Sequence, residues 1–161
     1  MKKLFAFILT IVLFSCNDGD FDVPAFEFTD TVNSCGEYLL YKTSSENTEA
    51  IAINLSPTDL PTEVGEKEIS LGSTKSVTYR IFEDKIDKNY FCQSIPPLTP
   101  QILKELVANG GTLLITTTAI ENDGNVTGYS HALIIKDLLF TDNNERIFFE
   151  TFDFGQINID L

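Results

Sequence analysis

The stretch TLLITTTAI at 112–120, the polar ENDGN at 121–125 and VTGYSHALIIKDLL at 126–139 together decide how this chain folds. Threonine, isoleucine, valine and leucine dominate both arms, and such side chains fit a pleated, half-buried surface. Between the arms, Asp123-Gly124 supplies the positive-φ dipeptide that tight hairpin turns demand. The arms are therefore expected to pair as a long antiparallel hairpin at the centre of a sheet. Successive side chains on a strand point to opposite faces, so Tyr129, His131, Leu133 and Ile135 should share one face and Ser130, Ala132, Ile134 and Lys136 the other.

Shorter runs of the same character lie on both sides of this hairpin. Residues 38–43 and 49–55 flank SSEN at 44–47, and residues 68–71 and 76–82 flank GST at 72–74; each pair reads as a hairpin. A last strand over 146–154 is expected to carry Arg146, Phe148, Glu150, Phe152 and Phe154 on one side and Phe149 on the other, with the phenylalanines filling sheet faces and core. One helix is expected near 99–109. Thr99 suits its N-cap and Pro100 its first turn, Ile102, Leu103, Leu106 and Val107 form an apolar stripe, and Gly110 can close it. Pro96-Pro97 takes the chain out of the preceding strand. The resulting expectation is an all-β domain, a two-layer antiparallel β-sandwich of immunoglobulin-like kind with that short helix over one end.

The N-terminus carries a different signal. Lys2 and Lys3 precede an apolar run of about eleven residues, 4–14, too short to span a bilayer and suited to a secretory signal. It ends in Leu13-Phe14-Ser15-Cys16, which resembles the lipobox of bacterial lipoproteins; Leu13, Ser15 and Cys16 match, and Phe14 stands where the motif has a smaller residue. The competing reading is an ordinary signal peptide that happens to hold a cysteine. The resemblance implies that residues 1–15 are a signal peptide, that Cys16 is acylated, and that the membrane is reached through this lipid anchor. The acidic segment 16–34, with Asp18, Asp20 and Asp22 near its start, is then a tether, and 35–161 is a single domain. That acidic start is similar to the surface-export signal of Bacteroidota lipoproteins. Cys35-Gly36-x-Tyr38-x-Leu40-Tyr41-Lys42, Phe91-Cys92-x-x-Ile95-Pro96-Pro97 and Gly128-Tyr129-x-His131 resemble segments of uncharacterised lipoproteins of the same group. The resemblance implies an address in the cell envelope, at the outer membrane, and brings no catalytic residues.

Charge narrows the partners. The chain holds 11 basic and 24 acidic residues, a net charge of −13; without Lys2 and Lys3 the basic count is nine and the charge −15. Phosphate backbones are held by clustered Lys and Arg, and no such cluster occurs beyond the signal, so nucleic acid is not an expected partner. If Cys16 is acylated, Cys35 and Cys92 remain as an even pair in an oxidising compartment and are expected to form a disulfide. Thiols serving a metal are the alternative, but one histidine and no C-x-x-C motif give them few co-ligands.

Catalytic patterns are sparse. His131, the single histidine, sits inside a predicted strand, and its neighbour Ser130 points to the opposite face, so the two cannot form a Ser-His pair. Sugar-stacking platforms favour broad exposed aromatic faces, and tryptophan is absent. The expectation is a non-enzymatic envelope module acting as a binding or accessory subunit of another envelope protein, with no cofactor and no metal. Two alternatives stand beside it: a divalent-cation-dependent adhesion module using the loops Glu121 to Asn125 or Asp142 to Glu145, and a hydrolase using dispersed carboxylates. The spacing of Asp18, Asp20 and Asp22 fails the calcium-loop pattern, because Gly19 falls second and Thr29 stands where a glutamate is needed.

Overall fold

The computed structural model describes residues 27–36, 38–95, 97–142 and 145–161. The expected signal peptide, the lipobox-like Leu13-Phe14-Ser15-Cys16 and the first part of the expected tether lie outside the described residues. Eight strands are present: β1 (Asn33–Cys35), β2 (Leu39–Thr43), β3 (Glu49–Asn54), β4 (Gly65–Ser70), β5 (Val77–Phe82), β6 (Ile102–Asn122), β7 (Asn125–Asp142) and β8 (Glu145–Asp160), with one turn of 3-10 helix at Tyr90–Cys92. The all-β class is as expected. The central hairpin is also found, with β6 and β7 paired from Asn122↔Asn125 down to Ala108↔Phe140.

The strands follow one hydrogen-bonded path, β1-β2-β3-β5-β6-β7-β8, while β4 pairs with β6 beside β5. Every pairing is antiparallel. This is a meander with one excursion, whereas an immunoglobulin sandwich joins two separate sheets by Greek-key connections. The immunoglobulin-like detail is therefore replaced by a single curled sheet.

Its curl comes from the three long strands, each of which changes the side it turns to the core. In β6 the buried positions are Leu106 and Ala108, then Leu113, Ile115 and Thr117. In β7 they run Leu133 and Ile135, then Leu138 and Phe140; in β8 they run Ile147, then Phe152 and Phe154. The switches are aligned across the sheet. Irregular register falls between Ala108 and Thr112 in β6, Asp137 sits at φ 52 in β7, and Lys136↔Thr151 and Leu138↔Phe149 bracket the change in β8. Gly111, at φ 136, is where the chains crowd: a Cβ there would lie 3.2 Å from Lys136 O and 3.3 Å from Leu138 Cα. The sheet thus folds over a common core, with β2, β3 and β5 facing β7 and β8. Phe28 meets Tyr79 and Phe152 edge-on at 6.3 and 6.0 Å, and Lys42 Nζ donates to Asp153 O at 3.3 Å across the gap.

Two further expectations are corrected. The helix near 99–109 is absent: Ile102, Leu103, Leu106 and Val107 belong to β6, with Thr78↔Val107, Tyr79↔Leu106 and Arg80↔Glu105 in register. A helix would bury the neighbours Leu106 and Val107 together, but Leu106 is 5% exposed and Val107 49%. An isolated helix of about ten residues is marginal in water, and here the same segment gains β5 as a ladder partner. On β8, Phe149 lies 5.6 Å from Phe152 on the core side while Phe148 faces outward, because the change of side falls between them. Strict alternation across that bend put Phe148 with Phe152 and Phe154.

The end of the expected tether is built into the sheet. Phe28 bridges to Ser44, Thr29 N–H donates to Thr43 O at 2.9 Å, and Asn33 and Ser34 pair with Tyr41 and Leu40.

Candidate functional site

Between β5 and β6 the chain leaves the sheet, crosses its outer face and returns at the point of departure, where Glu83 N–H donates to Gln101 O at 2.9 Å. This strap is held by apolar burial, hydrogen bonds and a covalent tie. Ile86 and Tyr90 are buried against Ala50 and Phe82, a second apolar cluster on the side of the sheet away from the main core. Tyr90 meets Phe82 edge-on at 4.9 Å, and Phe91 lies 4.7 Å from Tyr41. Ile86 N–H donates to Asn47 O at 2.9 Å, and Tyr41 Oη donates to Lys88 O at 2.6 Å. Burial, helped by the Asp87 carboxylate, raises the Tyr41 hydroxyl above its usual range, so it stays a protonated donor. Cys35 and Cys92 are paired with Cα atoms 5.1 Å apart, within the range a disulfide spans.

Hollows open on several sides of the strap. One, about 680 Å³, is lined by Glu83, Asp84, Lys85, Asp87, Tyr90 and Gln93 among others. A second, about 340 Å³, runs between the strap and Thr29, Tyr41, Thr43 and Asn47. A third, about 250 Å³, lies over Ala52, Thr78 and Arg80. Arg80 is fixed there by Glu105, 2.6 Å away, and its guanidinium stands 5.9 Å from the Phe91 ring centre. At the far end, Ile95 is 79% exposed and Leu98 92%. Exposed apolar side chains on a covalently tied loop, together with hollows lined by carboxylates, hydroxyls and the cations Arg80, Lys85 and Lys88, have the chemistry of a recognition surface: contact area from the apolar groups and orientation from the polar ones.

The other candidate residues fall elsewhere. His131 is 2% exposed on the core face of β7, its Nδ1 3.0 Å from Thr117 Oγ1, and burial lowers its pKa. The imidazole is thus packed in the sheet against Thr117. Among the described residues Asp59 is the one carboxyl whose pKa clearly departs from its ordinary value. Burial works to raise it, but hydrogen bonds from Lys75 and Ser56 outweigh that and hold it below the usual carboxylate range. The Ser56 bonds close a turn ahead of β4, and the Lys75 bond ties that turn to the segment after β4. The Glu121–Asn125 loop is a tight turn with Asp123 and Gly124 at φ 51 and 78. In the Asp142–Glu145 loop, Asp142 pairs with Lys104, and Asn143 and Asn144 lie outside the described residues. Among the described residues no group of three or more His, Cys, Asp and Glu gathers as metal ligands do.

Sequence reasoning missed the strap because it assigned 99–109 to a helix. The available signal was Tyr90-Phe91-Cys92, an aromatic pair beside a cysteine, between two strands that pair directly in the sheet. Fold and site together define an all-β protein whose curled sheet carries a disulfide-tied strap on its outer face. No protein-family model matches the chain, and neither curated proteins nor solved structures include a match to it.

Proposed function

We propose that this chain is a lipid-anchored protein of the cell envelope, acylated at Cys16 and non-enzymatic, which binds another envelope protein through the strap. The observation that carries the anchoring is Leu13-Phe14-Ser15-Cys16 at the end of an apolar run with Lys2 and Lys3 before it. Two or more acyl chains hold a protein on a membrane far more firmly than one, at about 0.8 kcal/mol per buried methylene. The binding role draws support from Ile95 and Leu98, which stand in water on the strap between Cys92 and β6. The acidic surface suits a partner face that is not itself acidic.

The anchoring is tested by feeding radiolabelled palmitate to cells that express the native chain or Cys16→Ala. Label on the native chain alone, and membrane attachment that resists a high-salt wash only when Cys16 is present, are the expected results. A Cys16→Ala chain that still pellets with membranes would sink the reading. Binding is tested by recovering partners with the native chain and with the Ile95→Glu, Leu98→Glu double variant; equal recovery would remove the strap from the interface.

A further inference from the structure

β8 is the last strand of the sheet, and its first stretch has no neighbour on the outer side among the described residues. Beyond Asp153 that edge is occupied: the Asp153 carboxylate accepts from Gly155 N–H at 2.9 Å, and Val32 packs against Gly155. Between Glu145 and Thr151 no described strand pairs with it, and the midpoint of that stretch is Phe148. Which backbone groups face outward follows from β7. Thr141 N–H turns toward β6, to Asn109 Oδ1 at 3.1 Å, so the alternate residues Leu138 and Phe140 bond to β8, opposite Phe149 and Ile147. Arg146, Phe148 and Glu150 therefore direct their N–H and C=O to the outer edge.

The same three residues expose their side chains on the outer face, where Phe148 is 47% exposed beside Leu139. Natural edges of this length are usually blunted by proline, edge charges or a covering element; 145–151 holds no proline, and the charges Arg146 and Glu150 stand symmetrically about Phe148. From this edge we infer that the chain pairs with a second copy of itself, strand β8 antiparallel to β8 about a two-fold axis through Phe148. That register uses the whole of this stretch. It sets Phe148 opposite Phe148, and Arg146 opposite Glu150 of the second copy, twice over. Directly opposite residues on one face of an antiparallel pair are the unit of sheet stabilisation, favourable for opposite charges and unfavourable for like ones. Neither Arg146 nor Glu150 has a side-chain partner among the described residues of its own chain. An isologous contact must be self-complementary, and Arg-x-Phe-x-Glu is so about its centre.

The test uses the full chain in detergent at physiological salt, where a Debye length of about 8 Å limits the repulsion between two acidic copies. Phe148→Cys should give a covalent dimer on mild oxidation, because a hydrogen-bonded pair holds its Cα atoms about 5.5 Å apart, within disulfide reach. The native chain, with the same Cys16, Cys35 and Cys92, sets the background. Arg146→Glu and Glu150→Arg should each weaken dimerisation by about tenfold or more by placing like charges opposite one another. The double variant should return it to near the native value, and that rescue is a result no general loss of folding can imitate. A chain monomeric up to about 0.1 mM, a Phe148→Cys chain that does not cross-link, or a dimer indifferent to the charge variants would each overturn the pairing. A different protein captured on this edge without cross-linked dimer would overturn it as well.

Discussion

His131 shows how a single position ties stability to pH. Its imidazole is buried with Thr117 as hydrogen-bond partner, and burial lowers its pKa below the ordinary 6.5, because the charged ring would lose its water. With the folded pKa depressed, the neutral ring's contribution is fully present above about 6.5 and is lost as pH falls, since the unfolded chain takes up a proton that the folded chain refuses. Denaturant melts of the native chain and His131→Gln at pH 7.5 and 5.5 should differ in the size of the acid loss. The native chain should lose more, by up to about 1.4 kcal/mol per pH unit; equal losses would show that the ring does not titrate between the two states. Gly128 gives a second test at this scale. A Cβ there would sit 2.6 Å from Ile159 O on β8, a backbone atom that cannot swing away. Gly128→Ala should therefore destabilise the domain by about 1–3 kcal/mol, as overpacking does, and a melting temperature within a degree of native would contradict the close approach of β7 and β8.

Among the elements, the strap depends most on one bond. Cys35 and Cys92 are 57 positions apart, and closing a loop of that length removes unfolded-state entropy equivalent to roughly 4 kcal/mol at most. The Cys35→Ser, Cys92→Ser double variant should melt at a lower temperature under oxidising conditions. It should also exchange the amides of Tyr90 and Cys92 faster than those of β6 and β7, since the strap's remaining hold is the small cluster of Ala50, Phe82, Ile86 and Tyr90 with the hydrogen bonds of Ile86 and Tyr41. Unchanged melting would mean that these contacts hold the strap without the disulfide. The corner of the sheet is the other element with a single weak point. Replacing Gly111 by valine would put a side chain between β6 and β7 at a φ that branched residues avoid.

At the scale of the whole molecule, charge opposes compactness. With 24 acidic and 11 basic residues the folded chain repels itself, so raising NaCl from about 0.01 to 0.5 M should screen the repulsion and raise the melting temperature. A flat or falling response would show that ion pairs such as Arg80–Glu105 outweigh the net charge. How much of this was legible beforehand depended on the range of the interaction. Local chemistry decided the class: β-branched runs, the Asp123-Gly124 turn and the alternation of His131, Leu133 and Ile135 specify strands and a central hairpin, because each rests on residues within a few positions of one another. The pairing of Cys35 and Cys92 was legible for a different reason: with Cys16 set aside they are an even pair, a matter of counting that needs no neighbours at all. Tertiary structure alone decided that 102–107 is strand, since the ladder with Thr78–Ile81 outweighs a helical stripe that needs no partner. It alone decided that Phe149 turns inward and Phe148 outward, and that residues 83–101 cover a second apolar cluster. Those outcomes depend on where the sheet bends and on what lies across it, and the physical reason is burial, which is a property of distant neighbours and not of sequence spacing.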